Sequence, residues 1–279
     1  LYPESRFSLR QGDNMTNHFE LGNGTVIVDV DDGIGTITLN RPEARNALSS
    51  ELLAALPIAF DFLEADEATD ILVLTGTDPA FCAGLDLREL GDSNGNIRTD
   101  GNNASKGPFP ERTKPLIAAV NGVAVTGGFE LALACDFIIA SERASFADTH
   151  ARVGVMPGWG LSVLLPQAIG IRRSRELSLT GNYLDASRAY DWGLVNQVVK
   201  HQDLMGTVRG LAQDIRTNDQ PGVRQLLKTY DLTSSTNVET AWGIENEMGQ
   251  DWLKQSGFTA EKVAERREAI QNRGRSQTL

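Results

Sequence analysis

β-Branched residues crowd positions 26–30 and 34–39 on either side of Asp31-Asp32-Gly33, which predicts a hairpin turning at the glycine. A polar loop, RPEARNALS, follows. Leu52, Leu53, Leu56, Phe60 and Leu63 then recur at helical spacing, and either Ser49 or Ser50 can cap that helix. Pro57 inside the pattern predicts a kink or a break. Residues 70–76 form a short apolar run ended by glycine, the pattern of a strand buried on both faces. Residues 116–120 repeat it and end at Asn121-Gly122. Each run leads through a glycine turn into a helix start, so the two stretches share one plan: strand, glycine stop, loop, glycine turn, helix. Phe137-Ile138-Ile139-Ala140 and residues 195–199 add strands between helices, and the first two-thirds of the chain reads as α/β with weak internal repetition. Strand signals stop near residue 203. Segments 204–215, 223–230, 238–254 and 259–272 look helical, with 218–222 as a break.

Two segments stand outside this pattern. Residues 1–14 are polar and read as a disordered or cloning-derived extension. Residues 91–107, mostly Gly, Asn, Asp and Ser, lack the apolar surface needed to offset the entropy of ordering them, which predicts a mobile loop.

Composition narrows the function classes. With 23% charged residues and no apolar run near the ~20 residues of a membrane-spanning helix, a transmembrane protein is excluded. Twenty-six Lys and Arg against 37 Asp and Glu give a net charge of −11, so there is no general basic field for nucleic acid or anionic lipid. Cys82 and Cys135 lie among apolar neighbours, which fits two buried thiols in a reducing cytoplasm. His18, His150 and His201 are far apart and show no metal-ligand spacing, so no metal is expected. His18 and His201, near a terminus and at a helix start, read as solvent-facing.

Chemistry concentrates in residues 114–136, KPLIAAVNGVAVTGGFELALACD. A Gly-Gly pair after a strand leaves backbone N–H groups uncovered, and the following helix directs the positive end of its dipole into the same space. That suits an oxyanion. Glu130 falls in the first turn of that helix, where its ionised form is favoured; it is either a general base or a helix-capping carboxylate. The stretch Phe81-Cys82-Ala83-Gly84-Leu85-Asp86-Leu87 also turns at a glycine, so its amides can approach those at Gly127 and let two donors meet one oxygen.

With these residues in view, the chain resembles the enoyl-CoA hydratase/isomerase (crotonase) superfamily. The motifs that carry the resemblance are PEARNALS (42–49), FCAGLDL (81–87), KPLIAAVNGVAVTGGFELALACDFIIAS (114–141), FADTHARVGVMPGWG (146–160) and LTGNYLDASRAYDWGLVNQVV (179–199), in order over roughly residues 20–275. The resemblance implies a crotonase-like spiral of ββα repeats over 15–203 and a C-terminal helical trimerisation region over 204–279, assembled as a homotrimer or a dimer of trimers. It implies an acyl-CoA thioester substrate, a place in fatty acid metabolism, and no cofactor beyond the coenzyme A of the substrate. The thioester oxygen would be held by the backbone N–H groups of Leu85 and Gly127. Glu130 matches the glutamate that activates water. The family's second glutamate falls at His150, a departure from the pattern; Asp148 can orient that histidine if the segment is irregular. Arg45, Ala83 and Asp86 match the coenzyme A-binding region, whereas Arg266 and Arg267 read either as reaching a neighbouring subunit's coenzyme A or as a solvated helix face. Trp159 replaces a small residue and narrows the acyl pocket if it points inward. Gly158 and Pro157 stand where family dehalogenases and naphthoate synthases place aspartates, which argues against both chemistries. The expectation is an enoyl-CoA hydratase. Thioester hydrolysis, decarboxylation, isomerisation or non-catalytic acyl-CoA binding remain alternatives because of His150.

Overall fold

The computed structural model describes residues 17–92, 107–255 and 259–277. The expected extension at 1–14 and residues 93–106 of the expected loop lie outside them.

Asp32 and Gly33 both take positive φ (45° and 69°), the twist that a two-residue hairpin loop requires. Strands β2 (Val26–Asp31) and β3 (Ile34–Leu39) consequently pair antiparallel from Asp31 opposite Ile34 to Val26 opposite Leu39. A strand with no counterpart in the sequence reading, β1 (Asn17–Leu21), adds to the edge of β2. From β3 onward the ladder is parallel, through β4 (Ile71–Gly76), β6 (Leu116–Val120), β8 (Phe137–Ser141) and β11 (Gln197–Val199), giving a seven-stranded sheet in the order β1-β2-β3-β4-β6-β8-β11. Every residue of β4 and β6 is buried, as a parallel strand covered on both faces must be. Leu72 and Leu74 face a core shared with α1 (Ser50–Ala65), and Ile71 and Val73 face the opposite one with α8 (Leu204–Arg216).

A second sheet is built from strands too short for a pattern to reveal. Strands β5 (Ala80–Cys82), β7 (Val123–Val125), β9 (Ser145–Ala147) and β10 (Leu184–Asp185) pair in the order β10-β9-β7-β5. Three successive repeats each give one strand to the large sheet and one to the small sheet, then enter a helix: α2 (Leu87–Asp92), α3 (Gly127–Leu133) and α4 (His150–Val153). This is the expected ββα spiral. Helices α5 (Leu161–Ile169), α6 (Ile171–Thr180) and α7 (Ala186–Asp191) follow.

Several expectations are corrected. Pro57 does not break α1, which runs unbroken to Ala65 from a cap at Ser49, whose hydroxyl accepts from the Leu52 amide at 3.2 Å. Helix α8 buries Leu204, Val208 and Ala212 against the sheet, so the compact core unit ends at Gln220 rather than at 203. The break at 218–222 is shorter than expected: α9 (Gln220–Ser234) takes Pro221 and Gly222 into its first turn, where proline's missing N–H would have no partner anyway. The second unit, Pro221–Leu279, carries most of α9, then α10 (Val238–Gln255) and α11 (Ala260–Gln277). His201 is held rather than solvent-facing. Its Nδ1 lies 3.1 Å from Ser141 Oγ and its Nε2 2.9 Å from Asp78 Oδ2. His18 keeps part of its surface exposed, with Nδ1 2.6 Å from Asp29. Among the described residues, no helix is long and apolar enough to cross a membrane.

Candidate active site

The two glycine turns foreseen in the sequence touch. Gly84 has φ of 88°, and a Cβ added there would lie 2.8 Å from the Val125 carbonyl oxygen and 3.6 Å from the Gly127 nitrogen. Gly128 is tighter still, since a Cβ would fall 2.2 Å from the Cys82 carbonyl oxygen. Glycine at these positions is what lets α3 start directly against β5. Most amides around the turns are engaged: Ala83 donates to Arg45 (3.0 Å), Asp86 to Leu48 (3.1 Å) and Thr126 to Ala147 (2.9 Å). Among the described residues, the amides of Leu85 and Gly127 have no such partner.

Beside them lies a buried line of ionisable groups. Glu130 is 3% exposed; its Oε1 accepts from the Trp159 amide at 2.8 Å and the Leu161 amide at 3.3 Å, and its Oε2 stands 3.5 Å from His150 Nε2. His150 Nδ1 is 2.6 Å from Asp148 Oδ1. That contact exists because the chain leaves the strand conformation after Ala147, so the two side chains need not follow a strand's spacing. Burial pulls the His150 pKa down, but hydrogen bonds and charge from Asp148 and Glu130 outweigh it and push the value to about 9. Burial likewise works against the Asp148 carboxylate, and the hydrogen bonds from His150 and Ser178 overcome it and hold the pKa below the ordinary carboxylate range. At neutral pH the histidine is an imidazolium facing two carboxyl groups.

A sequence profile of the enoyl-CoA hydratase/isomerase family matches residues 29–270. The chain belongs to this family. It is 36% identical over 245 residues to a probable peroxisomal enoyl-CoA hydratase of Arabidopsis thaliana, covering 87% of this chain and 91% of that protein. It is 32% identical over 243 residues to the 1,2-epoxyphenylacetyl-CoA isomerase of Escherichia coli, covering 85% and 91%. Among solved structures, an enoyl-CoA hydratase of Mycobacterium tuberculosis aligns with a TM-score of 0.70 at 48% identity, covering 81% of this chain and 98% of that one.

Within this enoyl-CoA hydratase/isomerase fold, a small open pocket borders the two turns. Leu85, Leu87, Leu90, Val153 and Val155 give it an apolar wall, and Ala83 lines it next to the exposed Arg45. The carboxylate of Asp86 is 8% exposed and already taken by Arg41 Nη1 at 3.0 Å and the Arg88 amide at 3.1 Å. Its side chain therefore braces the first turn. The Trp159 ring comes within 3.4 Å of where a Cβ on Gly127 would sit, so it lies against the second turn. Arg266 and Arg267 lie on exposed stretches of α11. Sequence reasoning missed Arg41 as the partner of Asp86. It also missed Thr126 and Thr149, the polar side chains lining the cavity, whose hydroxyl oxygens are 2.6 Å apart.

Proposed function

We propose that this protein adds water across the trans-2 double bond of an acyl-CoA thioester. The observation that carries the reading is the pair of unpartnered amides, Leu85 and Gly127, on touching turns beside a buried Glu130–His150–Asp148 line. In this reading both amides donate to the thioester oxygen and stabilise the enolate as it forms; losing one such donor typically costs about 3–4 kcal/mol. Glu130 takes a proton from water as its oxygen bonds to C3, and the double-bond electrons move onto the enolate. The His150 imidazolium delivers its Nε2 proton to C2, closing the enolate to the saturated product. Glu130 then returns its proton to His150 across their 3.5 Å separation, and Asp148 holds the ring by Nδ1. Histidine thus does with a positive charge what a second carboxylic acid would do neutral.

Arg45 and Ala83 form the coenzyme A side of the site, Trp159 narrows the acyl space, and the chain assembles through three-fold contacts that sedimentation can count. The reaction is tested with short and medium trans-2-enoyl-CoA by loss of conjugated absorbance. Glu130→Gln is expected to lower kcat by about 10²–10⁴-fold, and turnover indifferent to that change overturns the assignment. A second reading has its own support: a relative named as an isomerase is 32% identical. In it the same Glu130–His150 pair moves a proton between carbons without water, and a product of unchanged mass would reveal it.

A further inference from the structure

Thr126 and Thr149 each occupy the position just before a helix, where a threonine hydroxyl ordinarily caps a free amide. Neither does so. Their hydroxyls instead meet each other at 2.6 Å, across two successive repeats. Thr126 adopts φ 54° and ψ −114°, a conformation natural to glycine and strained for a β-branched residue. A side chain kept there against strain, and diverted from capping, has a use that glycine cannot supply. Both residues line the cavity, where the described neighbours are otherwise apolar. Two hydroxyls carry two hydrogens, and their mutual bond consumes one. Among the described residues, no acceptor takes the other.

We propose that the Thr126–Thr149 pair is a specificity element that recognises a neutral oxygen, a hydroxyl or carbonyl, on the acyl chain within a few carbons of the thioester. The location rests on the reading above: Thr126 immediately precedes Gly127, whose amide holds the thioester oxygen. A plain hydrocarbon chain strips water from the spare hydroxyl and offers nothing in return, whereas an oxygenated chain satisfies it.

Calorimetric binding of butyryl-CoA and 4-hydroxybutyryl-CoA to the whole protein tests this without turnover. The hydroxylated ligand is expected to bind up to about tenfold tighter, the worth of one neutral hydrogen bond. Thr149→Val is expected to erase the difference and Thr149→Ser to keep it, with the ratio of kcat/KM for the corresponding 2-enoyl thioesters following suit. Equal binding by the unaltered protein overturns the proposal, whatever the variants do. So does an equal loss for both ligands in Thr149→Val, which would mean that the hydroxyls hold water or the loops. If neither thioester is hydrated while the binding preference persists, the hydratase reading fails and this one is supported; hydration with no preference has the reverse meaning.

Discussion

His150 keeps its proton at neutral pH because two carboxyl groups face it, and that makes pH the sharpest probe of single residues here. Its folded pKa of about 9 exceeds the ordinary value near 6.5. The stability it contributes is therefore fully present below the ordinary value and is lost as pH rises through about 9. Thermal unfolding followed from pH 6 to 10 is expected to show, in the native chain, a decline that starts near 6.5 and levels off above about 9 and that His150→Gln lacks, with kcat falling near 9 as the proton donor disappears. His150→Glu restores the residue implied by the family pattern but gathers three carboxyl groups in one buried cluster. Like charges so confined oppose ionisation, so lower stability and a lower hydration rate at pH 7 are expected, checked by denaturant melts and steady-state assay. Much of this cluster was legible in the sequence: Glu130 through its place after a Gly-Gly turn, and Asp148 through its spacing to His150. The Thr126–Thr149 contact was not, because the two lie 23 positions apart and nothing in the spacing ties them together. Nor was the engagement of Asp86, since nothing in the spacing ties it to Arg41, 45 positions earlier.

Elements legible from pattern were those whose own residues decide them. Strand β6 is uniformly apolar and β4 is so up to Thr75, one stopping before an asparagine and the other at a glycine, and α1 announces itself through a serine cap and leucine spacing. The small sheet was hidden because strands of two or three residues owe their conformation to neighbours in space, not to local alternation. Its closest packing point is also its most vulnerable. Gly128→Ala would set a methyl group against the Cys82 carbonyl, a backbone atom with no rotamer to change. A loss on the order of 3 kcal/mol in urea unfolding is expected, with activity falling as the turns separate. Pro57 offers the opposite case. It lies inside α1 and withholds one donor from the helix, so Pro57→Ala is expected to stabilise the chain by roughly 1–3 kcal/mol in the same measurement.

Across the whole molecule, repetition explains why the general architecture could be read early while the unit boundary could not. Each ββα repeat restates one plan, so two visible copies imply the others. Helix α8 looks like its C-terminal neighbours in sequence, and only burial of Leu204, Val208 and Ala212 shows that it serves the sheet. Cys82 and Cys135 are both buried free thiols, Cys82 fully, with burial pushing its pKa up to about 12 and that of Cys135 upward as well. Neither forms much thiolate in the closed fold, so a thiol reagent reaches them only when the chain opens. The two therefore act as clocks on different parts of one body. Cys82 sits beneath the start of α3 and times the parting of the paired turns; Cys135 lies beyond the far end of that helix and serves as the reference. A non-reacting acyl-CoA bound between the turns should slow labelling of Cys82 more than that of Cys135, a difference that peptide mass mapping would read directly.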